Sequence, residues 1–175
     1  GGVNVELAMS YGKPSIDSAL QRLFDQCVRR IVVLPLYPQY SGTTTGSVFS
    51  ALTSAIATRR WVPEFRFINH YHDAPGYISA LAKSVRDFWD LHGRGERLLM
   101  SFHGIPKRTL TSGDPYHCQC QKTARLLANA LELEPAAWQL TFQSRVGREE
   151  WLRPYTDETL KKMGQEKVSD IDVIC

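Results

Sequence analysis

A histidine stands at the point where a buried strand is expected to end. Residues 97–103 read RLLMSFH, an apolar run that stops at His103, and Gly104 follows it. Imidazole titrates nearer to neutrality than any other ordinary side chain, so a histidine at a strand end is suited to proton transfer. A histidine that only closes the strand by hydrogen bonding would produce the same pattern. Position alone therefore leaves a catalytic and a structural interpretation of His103 open.

Aromatic, hydroxyl and cationic side chains occupy the loops after several predicted strands. In open α/β sheets ligands bind beyond the carboxyl ends of the strands, so these loops are expected to share one surface. That surface would collect Tyr11, Tyr37, Tyr40, His103, Ser144, Arg145 and Trp151. Aromatic faces together with an arginine favour a large, flat ligand that carries acidic groups.

Short apolar runs alternate along the chain with stretches of helical period, a pattern typical of βαβ units around a parallel sheet. The runs predict six strands, at residues 5–11, 31–36, 65–71, 97–103, 138–144 and 170–175. The helical stretches predict five helices, at residues 16–28, 43–60, 76–92, 114–133 and 156–167. The expected fold class is therefore α/β, with doubly wound parallel sheets and flanking helices.

The second predicted strand is apolar on both faces, which is typical of a central strand in a parallel sheet. We expect it to end at Pro35, because proline has no N–H group to donate to the sheet ladder. The chain is expected to divide after residue 74, which gives one domain of residues 1–74 and another of residues 75–175.

The composition argues against several classes of function. The 175 residues carry a net charge of +3, and 21 Lys and Arg residues are interleaved with 18 Asp and Glu residues, so a nucleic-acid partner is not expected. No apolar stretch approaches the ~20 residues of a membrane helix. Four irregularly spaced cysteines do not make a secreted disulfide framework, so we expect a cytoplasmic protein with reduced thiols.

Two further motifs could bind ligands but have simpler interpretations. His117, Cys118 and Cys120 offer an imidazole and two thiols, yet a structural zinc site needs four ligands and no second such pair occurs in the sequence. The two cysteines are two residues apart on a predicted helix, so they are expected to lie on roughly opposite faces. The hydroxyl-rich segment 41–47 favours a helix N-cap and leaves open a contact with a substrate carboxylate.

Four blocks of sequence, taken together, resemble the ferrochelatase family. The blocks are LPLYPQYSGTTTGS (34–47), SFHGIPKR (101–108), GDPYHCQC (113–120) and TFQSRVGREEWLRPYTDETL (141–160). Their order and spacing are similar to those of the family over residues 8–175. The resemblance implies a chelatase-type fold with two similar Rossmann-like or flavodoxin-like halves, of which the first is incomplete in this chain.

The resemblance also implies an activity, the insertion of ferrous iron into protoporphyrin IX to form protoheme, which is a lyase reaction and the last step of heme biosynthesis. His103 matches the family's strand-end histidine, to which removal of pyrrole N–H protons or binding of the incoming metal is assigned. Tyr11, Ser144 and Trp151 match residues around the porphyrin. Tyr40 and Arg145 complete the substrate-binding set that we expect.

In this resemblance the partners are protoporphyrin IX and ferrous iron, and the iron is a substrate, so no tightly bound cofactor is expected. A [2Fe–2S] cluster is not expected either, because Gly42 stands where some relatives carry a cysteine. The apolar product is compatible with a peripheral membrane contact, although no basic amphipathic helix in the sequence supports one.

Two alternatives stay open at this point. A cobalt or nickel chelatase that acts on a tetrapyrrole would share the fold, and the sequence does not specify the metal. A non-catalytic porphyrin-binding module would share the pocket. The resemblance places the family's catalytic glutamate beyond Cys175, so we expect this chain by itself to have little or no metal-insertion activity.

Overall fold

The computed structural model describes residues 2–175 and is an α/β protein in which the strands pair in parallel. Its helices are α1 (Ile16–Asp25), α2 (Thr45–Ala57), α3 (Pro75–His92), α4 (Lys107–Thr111), α5 (Tyr116–Ala130) and α6 (Thr156–Gln165). Its strands are β1 (Arg30–Val33), β2 (Glu64–Phe67), β3 (Arg97–His103), β4 (Trp138–Gln143) and β5 (Ile171–Ile174). The predicted fold class, α/β with parallel sheets and flanking helices, is confirmed.

The chain divides into two compact units, the first ending at His70 and the second running from Tyr71 to Cys175. Each unit has its own sheet: β1 pairs with β2 in the first, and the strand order in the second is β4, β3, β5. Each unit also has its own hydrophobic core. The assignment of residues 1–74 and 75–175 to the two halves of a chelatase stays a prediction.

The first unit packs its two helices on one face of its sheet. Leu20 of α1, Leu52 of α2 and Ile31 of β1 form a small buried core. Side chains alternate between the faces of a strand, so Val32 points away from this core and is 64% exposed. The prediction of a central strand buried on both faces is therefore wrong, because within residues 2–175 β1 has β2 as its one neighbouring strand.

The strand predicted at residues 5–11 does not form. The backbone of this segment is irregular, and its apolar side chains are exposed, with Val5 85% exposed. Alternating apolar residues make a strand only where a neighbouring strand satisfies their backbone N–H and C=O groups, and β1 makes its ladder with β2. The segment is tied to α1 by an ion pair between Glu6 and Arg22, with a carboxylate-to-Nε distance of 2.7 Å.

The start of α2 differs in detail from the expected N-cap. The cap residue is Thr44, and its side chain makes no capping hydrogen bond. The Ser41 carbonyl instead accepts the N–H groups of Thr44 and Gly46, each at 3.1 Å. A backbone turn therefore supplies the acceptor that the sequence pattern assigns to a hydroxyl.

Helices cover both faces of the sheet in the second unit. On one face, buried apolar residues of α3 and α5 pack against Met100 and Phe142 of the strands. On the other face, the Thr156 hydroxyl at the start of α6 lies 3.1 Å from the Ser101 hydroxyl and 2.9 Å from the Thr141 hydroxyl. This unit is doubly wound, as predicted. Among the described residues, no helix combines the length and apolar character that a membrane crossing needs.

The two cysteines of α5 lie on opposite faces of the helix, which confirms the prediction from their spacing. Cys120 is fully buried, whereas Cys118 is exposed. Burial raises the pKa of Cys120 to about 12, so its thiol stays protonated near neutrality. The two sulfur atoms therefore do not converge on one metal ion.

Candidate active site

The carboxyl ends of β3 and β4 lie side by side, with His103 and Gln143 as partners in the parallel register. Side chains alternate along a strand, so His103 shares a face with Ser101, on the side where α6 lies. The His103 side chain is exposed, and within residues 2–175 its imidazole makes no hydrogen bond. Both ring nitrogens are therefore available to a ligand.

The peptide that joins His103 to Gly104 is held on both sides. The Gly104 N–H donates to the Gln143 carbonyl at 2.7 Å, and the Tyr116 hydroxyl donates to the His103 carbonyl at 2.9 Å. The first bond continues the ladder between β3 and β4 by one residue. The end of β3 is therefore fixed although the imidazole itself is not bonded.

Gly104 lies where two other parts of the chain approach its backbone closely. A Cβ atom added to it would lie 2.8 Å from the Gln143 carbonyl oxygen and 3.3 Å from the Trp151 ring. The first of these distances is too short for a real Cβ atom, so any larger residue would push the two strand ends apart. The absence of a side chain lets the Trp151 indole pack beside the peptide that follows His103.

The loop after β4, residues 144–155, folds back onto the segment that follows β3. The Leu152 N–H donates to the Ile105 carbonyl at 3.0 Å, which ties the two loops together. The indole N–H of Trp151 donates to the Val146 carbonyl at 2.9 Å, and the ring is half-buried. Trp151 is therefore held in one orientation beside the end of β3.

Ser144 opens this loop and is exposed. Its backbone φ is 67°, in the left-handed region, which turns the chain sharply as it leaves β4. Because Ser144 follows Gln143, the strand partner of His103, its hydroxyl lies at the same end of the sheet. The structure thus brings His103, Ser144 and Trp151 together.

Arg145 is turned toward the start of α6. Its guanidinium pairs with Asp157 at 2.8 Å and with Glu158 at 2.9 Å, and it lies 4.1 Å from the centre of the Tyr155 ring. The hydrogen bond to Glu158 raises the pKa of Arg145 above its usual range. Arg145 is therefore a cation that two carboxylates of its own chain already hold.

Tyr11 and Tyr40 belong to the first unit. Tyr11 lies in the irregular segment before α1 and is 88% exposed. Tyr40 is half-buried in the loop before α2, and its hydroxyl lies 3.2 Å from the position that a Cβ atom would take on Gly46. Their roles in substrate binding stay predictions.

Sequence reasoning missed Tyr116 and Gly104 as parts of this site. Tyr116 follows His103 by 13 residues and lies on another element, so its bond to the His103 carbonyl depends on how α5 packs against β3. No periodicity in the sequence carries that information. For Gly104 a signal existed, since a glycine directly after a strand often marks a close approach of backbone.

Sequence similarity to known proteins identifies the family of this chain. The family model described as Ferrochelatase matches residues 1–175. The ferrochelatases of Thioalkalivibrio sulfidiphilus, Nitrosococcus oceani and a Janthinobacterium species are 58%, 55% and 56% identical to this chain, over 100%, 99% and 99% of its length. The chain spans about half the length of these curated relatives, 47% of each. Since the family model covers the sequence from its first residue to its last, the chain belongs to the ferrochelatase family.

Proposed function

We propose that this chain is part of a ferrochelatase, a lyase that inserts ferrous iron into protoporphyrin IX to form protoheme. The observation that supports the proposal most directly is the state of His103. Its imidazole is exposed and without a hydrogen bond inside residues 2–175, while the strand end that carries it is held by two backbone hydrogen bonds. Similarity to relatives named ferrochelatase, at 53% identity and above, supports the proposal that this imidazole acts in metal insertion.

Metal insertion needs a base, because two pyrrole N–H protons must leave the porphyrin as the ferrous ion enters. A neutral imidazole is a suitable acceptor for such protons, and His103 can act as one without breaking an internal hydrogen bond. In the proposed reaction His103 takes one pyrrole proton, passes it to water and then takes the second. The alternative role for the same side chain is contact with the incoming iron, which is a substrate, because a neutral imidazole has one acceptor nitrogen and takes either a proton or the metal at one time.

Trp151, Ser144 and Arg145 are proposed to contact the porphyrin. The Trp151 indole, fixed by its bond to the Val146 carbonyl, offers an aromatic edge and face beside the strand end, which suits a flat macrocycle. The exposed Ser144 hydroxyl can donate to a propionate. Arg145 reaches a propionate only by exchanging one of its two carboxylate partners, so we expect it to contribute least.

The finer features of the function are also proposals. We propose that Tyr11 and Tyr40 contact the same substrate and that the protein works in the cytoplasm without a tightly bound cofactor. Gly42 stands where some relatives carry a cysteine, which argues against a [2Fe–2S] cluster held by the loop before α2. A peripheral membrane contact would fit an apolar product.

A chimeric enzyme tests the activity. The matched 47% of the Thioalkalivibrio sulfidiphilus ferrochelatase is replaced by these 175 residues, and iron insertion is followed without oxygen by the loss of protoporphyrin fluorescence. We expect an active chimera whose His103→Ala variant loses about 10²- to 10⁴-fold in kcat. The matched control is His92→Ala, which removes an exposed histidine at the end of α3 and is expected to keep the rate.

A folded chimera without activity, or equal rates for His103→Ala and His92→Ala, would contradict the proposal. Faster insertion of cobalt or nickel than of ferrous iron would indicate a chelatase of another specificity. Protoporphyrin binding without insertion of any of these metals would indicate a porphyrin-binding module instead.

A further inference from the structure

We infer that Tyr116 is a positioning residue for His103, an inference that rests on the proposed function of that histidine. Tyr116 is the first residue of α5, and its hydroxyl donates to the His103 carbonyl at 2.9 Å. Its ring belongs to the buried core of the second unit. The donor therefore reaches the end of β3 from the interior and is anchored by the packing of α5.

Two features hold Tyr116 in place, and a third keeps its hydroxyl protonated. The Tyr116 N–H donates to the Asp114 carboxylate at 3.0 Å, which orients the first turn of α5. The side chain is 9% exposed and packs in the same cluster as Cys120, one turn further along the helix. Burial raises the pKa of Tyr116 well above its usual range, so the hydroxyl keeps its proton and remains a donor.

The bond acts on the imidazole through the backbone. The His103 carbonyl and the Gly104 N–H belong to one planar peptide group, and the Gly104 N–H is already bonded to the Gln143 carbonyl at 2.7 Å. With both of its polar groups bonded, this peptide cannot rotate, and the direction of the Cα–Cβ bond of His103 is set. Because the ring makes no hydrogen bond within residues 2–175, the fixed Cα–Cβ bond is what limits the positions that the ring can take.

A purely structural hydrogen bond would stabilise the fold without affecting the imidazole, and α5 offers a matched control for that case. Thr123 is buried on the same helix, and its hydroxyl donates to the His72 carbonyl at 2.8 Å. Thr123→Val therefore removes the same type of bond, from a buried hydroxyl of α5 to a backbone carbonyl. It leaves the bond to His103 intact.

The experiment compares Tyr116→Phe with Thr123→Val in the chimeric enzyme. Histidine side chains are labelled with ¹⁵N, the His103 signals are assigned by their loss in His103→Ala, and kcat, KM and thermal unfolding are measured in parallel. We expect both variants to unfold at a lower temperature. Only Tyr116→Phe is expected to shift or broaden the His103 ring signals and to lower kcat, by about two- to tenfold, with little change in KM.

Unchanged His103 signals with an unchanged kcat in Tyr116→Phe would overturn the inference, as would equal perturbation of the ring by both variants. Shifted ring signals in a chimera that inserts no iron would support the positioning role and contradict only the proposed function. If Tyr116→Phe does not fold, Asp114→Ala loosens the same turn and keeps the hydroxyl. It is expected to shift the His103 signals by a smaller amount, and unshifted signals there would overturn the inference.

Discussion

Both units pack helices against a parallel sheet, but the second unit buries more apolar side chains and in this sense has the deeper core. In the second unit helices cover both faces of the sheet, and the buried cluster extends through the strands from Leu98 to Phe142. In the first unit both helices share one face, and the buried centre consists of Leu20, Ile31 and Leu52. The proposed catalytic base lies at the end of a strand in the deeper core. A base that must meet a rigid substrate gains accuracy from such packing.

Each unit also has an irregular segment, and the two segments differ in how they are bonded to the rest of their unit. Residues 5–11 of the first unit are exposed and lack the strand that their pattern predicts. The loop at residues 144–155 of the second unit is equally irregular, yet Leu152 and Trp151 are bonded to neighbouring backbone. Hydrogen bonds therefore attach the second of these segments to the end of a neighbouring strand, and the proposed site uses that segment.

The largest expected effect compares one buried phenylalanine with one exposed phenylalanine. Phe142 in β4 is 2% exposed, whereas Phe49 in α2 is 51% exposed and packs edge-on against Phe67, with ring centres 5.3 Å apart. Phe142→Ala should lower the free energy of unfolding by about 3–5 kcal/mol, because it leaves a cavity in the core. Phe49→Ala should cost less than about 1.5 kcal/mol. Urea unfolding followed by circular dichroism measures both values.

Equal costs for the two variants would show that the buried position of Phe142 contributes no more to stability than the exposed position of Phe49. A cost below about 1 kcal/mol for Phe142→Ala would show that the second unit tolerates a cavity, which a close-packed core does not. Either result would remove the physical basis for placing the rigid part of the site in the second unit.

The elements that could be predicted best are those that depend on the residue pattern of their own segment. β3 occupies the predicted residues 97–103, and β1 ends before Pro35, where the missing N–H group of proline requires it. The strand predicted at residues 5–11 failed because an alternating pattern states which face a residue would take but not whether a neighbouring strand is present. The short helix α4 was missed because its five residues are too few to show a period.

In the candidate site, too, features that depend on local sequence could be predicted and features that depend on packing could not. The position of His103 at a strand end followed from an apolar run and could be predicted. The partners of Arg145 could not, since Asp157 and Glu158 reach it only after the loop has folded back on α6. The bond from Tyr116 to the His103 carbonyl depends on helix packing and was equally out of reach.

A smaller effect is expected from adding one methyl group at two glycines of the second unit. Gly104→Ala would place a Cβ atom 2.8 Å from the Gln143 carbonyl oxygen and should cost about 1–3 kcal/mol of unfolding free energy. It should also shift the Trp151 fluorescence, because the ring lies 3.3 Å from the added atom. Gly76→Ala, in the first turn of α3, meets nothing within 4 Å and should stabilise by up to about 1 kcal/mol.

Denaturant unfolding and tryptophan emission of the two variants check this pair. The contrast would be refuted if Gly104→Ala were as stable as the parent chain, since the two strand ends would then not be held as closely as the bond from Gly104 to Gln143 indicates. Reduced stability with an unchanged emission spectrum would show that the added methyl group disturbs the contact with the Gln143 carbonyl and not the contact with Trp151.

The smallest expected effect concerns one ion pair in each unit. In the second unit the Lys122 ammonium bonds the Asp73 carboxylate, and the Thr123 hydroxyl bonds the neighbouring His72 carbonyl. In the first unit the Arg22 guanidinium bonds Glu6 at 2.7 Å. Because these pairs are partly exposed, Lys122→Met and Arg22→Met should each cost less than about 1 kcal/mol. Amide exchange at Ala74, whose N–H donates to the Tyr71 carbonyl, should change little in Lys122→Met, since the bond from Thr123 remains. Exchange at Met9, whose N–H donates to the Pro14 carbonyl, should speed up in Arg22→Met.

The pH dependence of the second pair follows from the pKa of Asp73. The hydrogen bond from Lys122 lowers that pKa below its ordinary value of 3.8, and the charge of His72 acts in the same direction. A carboxylate whose pKa is depressed by folding stabilises the protein above its ordinary pKa, and the contribution is lost as the pH falls through the folded value. The difference in unfolding free energy between the parent chain and Lys122→Met should thus be constant near neutrality and shrink as Asp73 becomes protonated. A difference that grew on acidification would show that Lys122 acts on the second unit through another group.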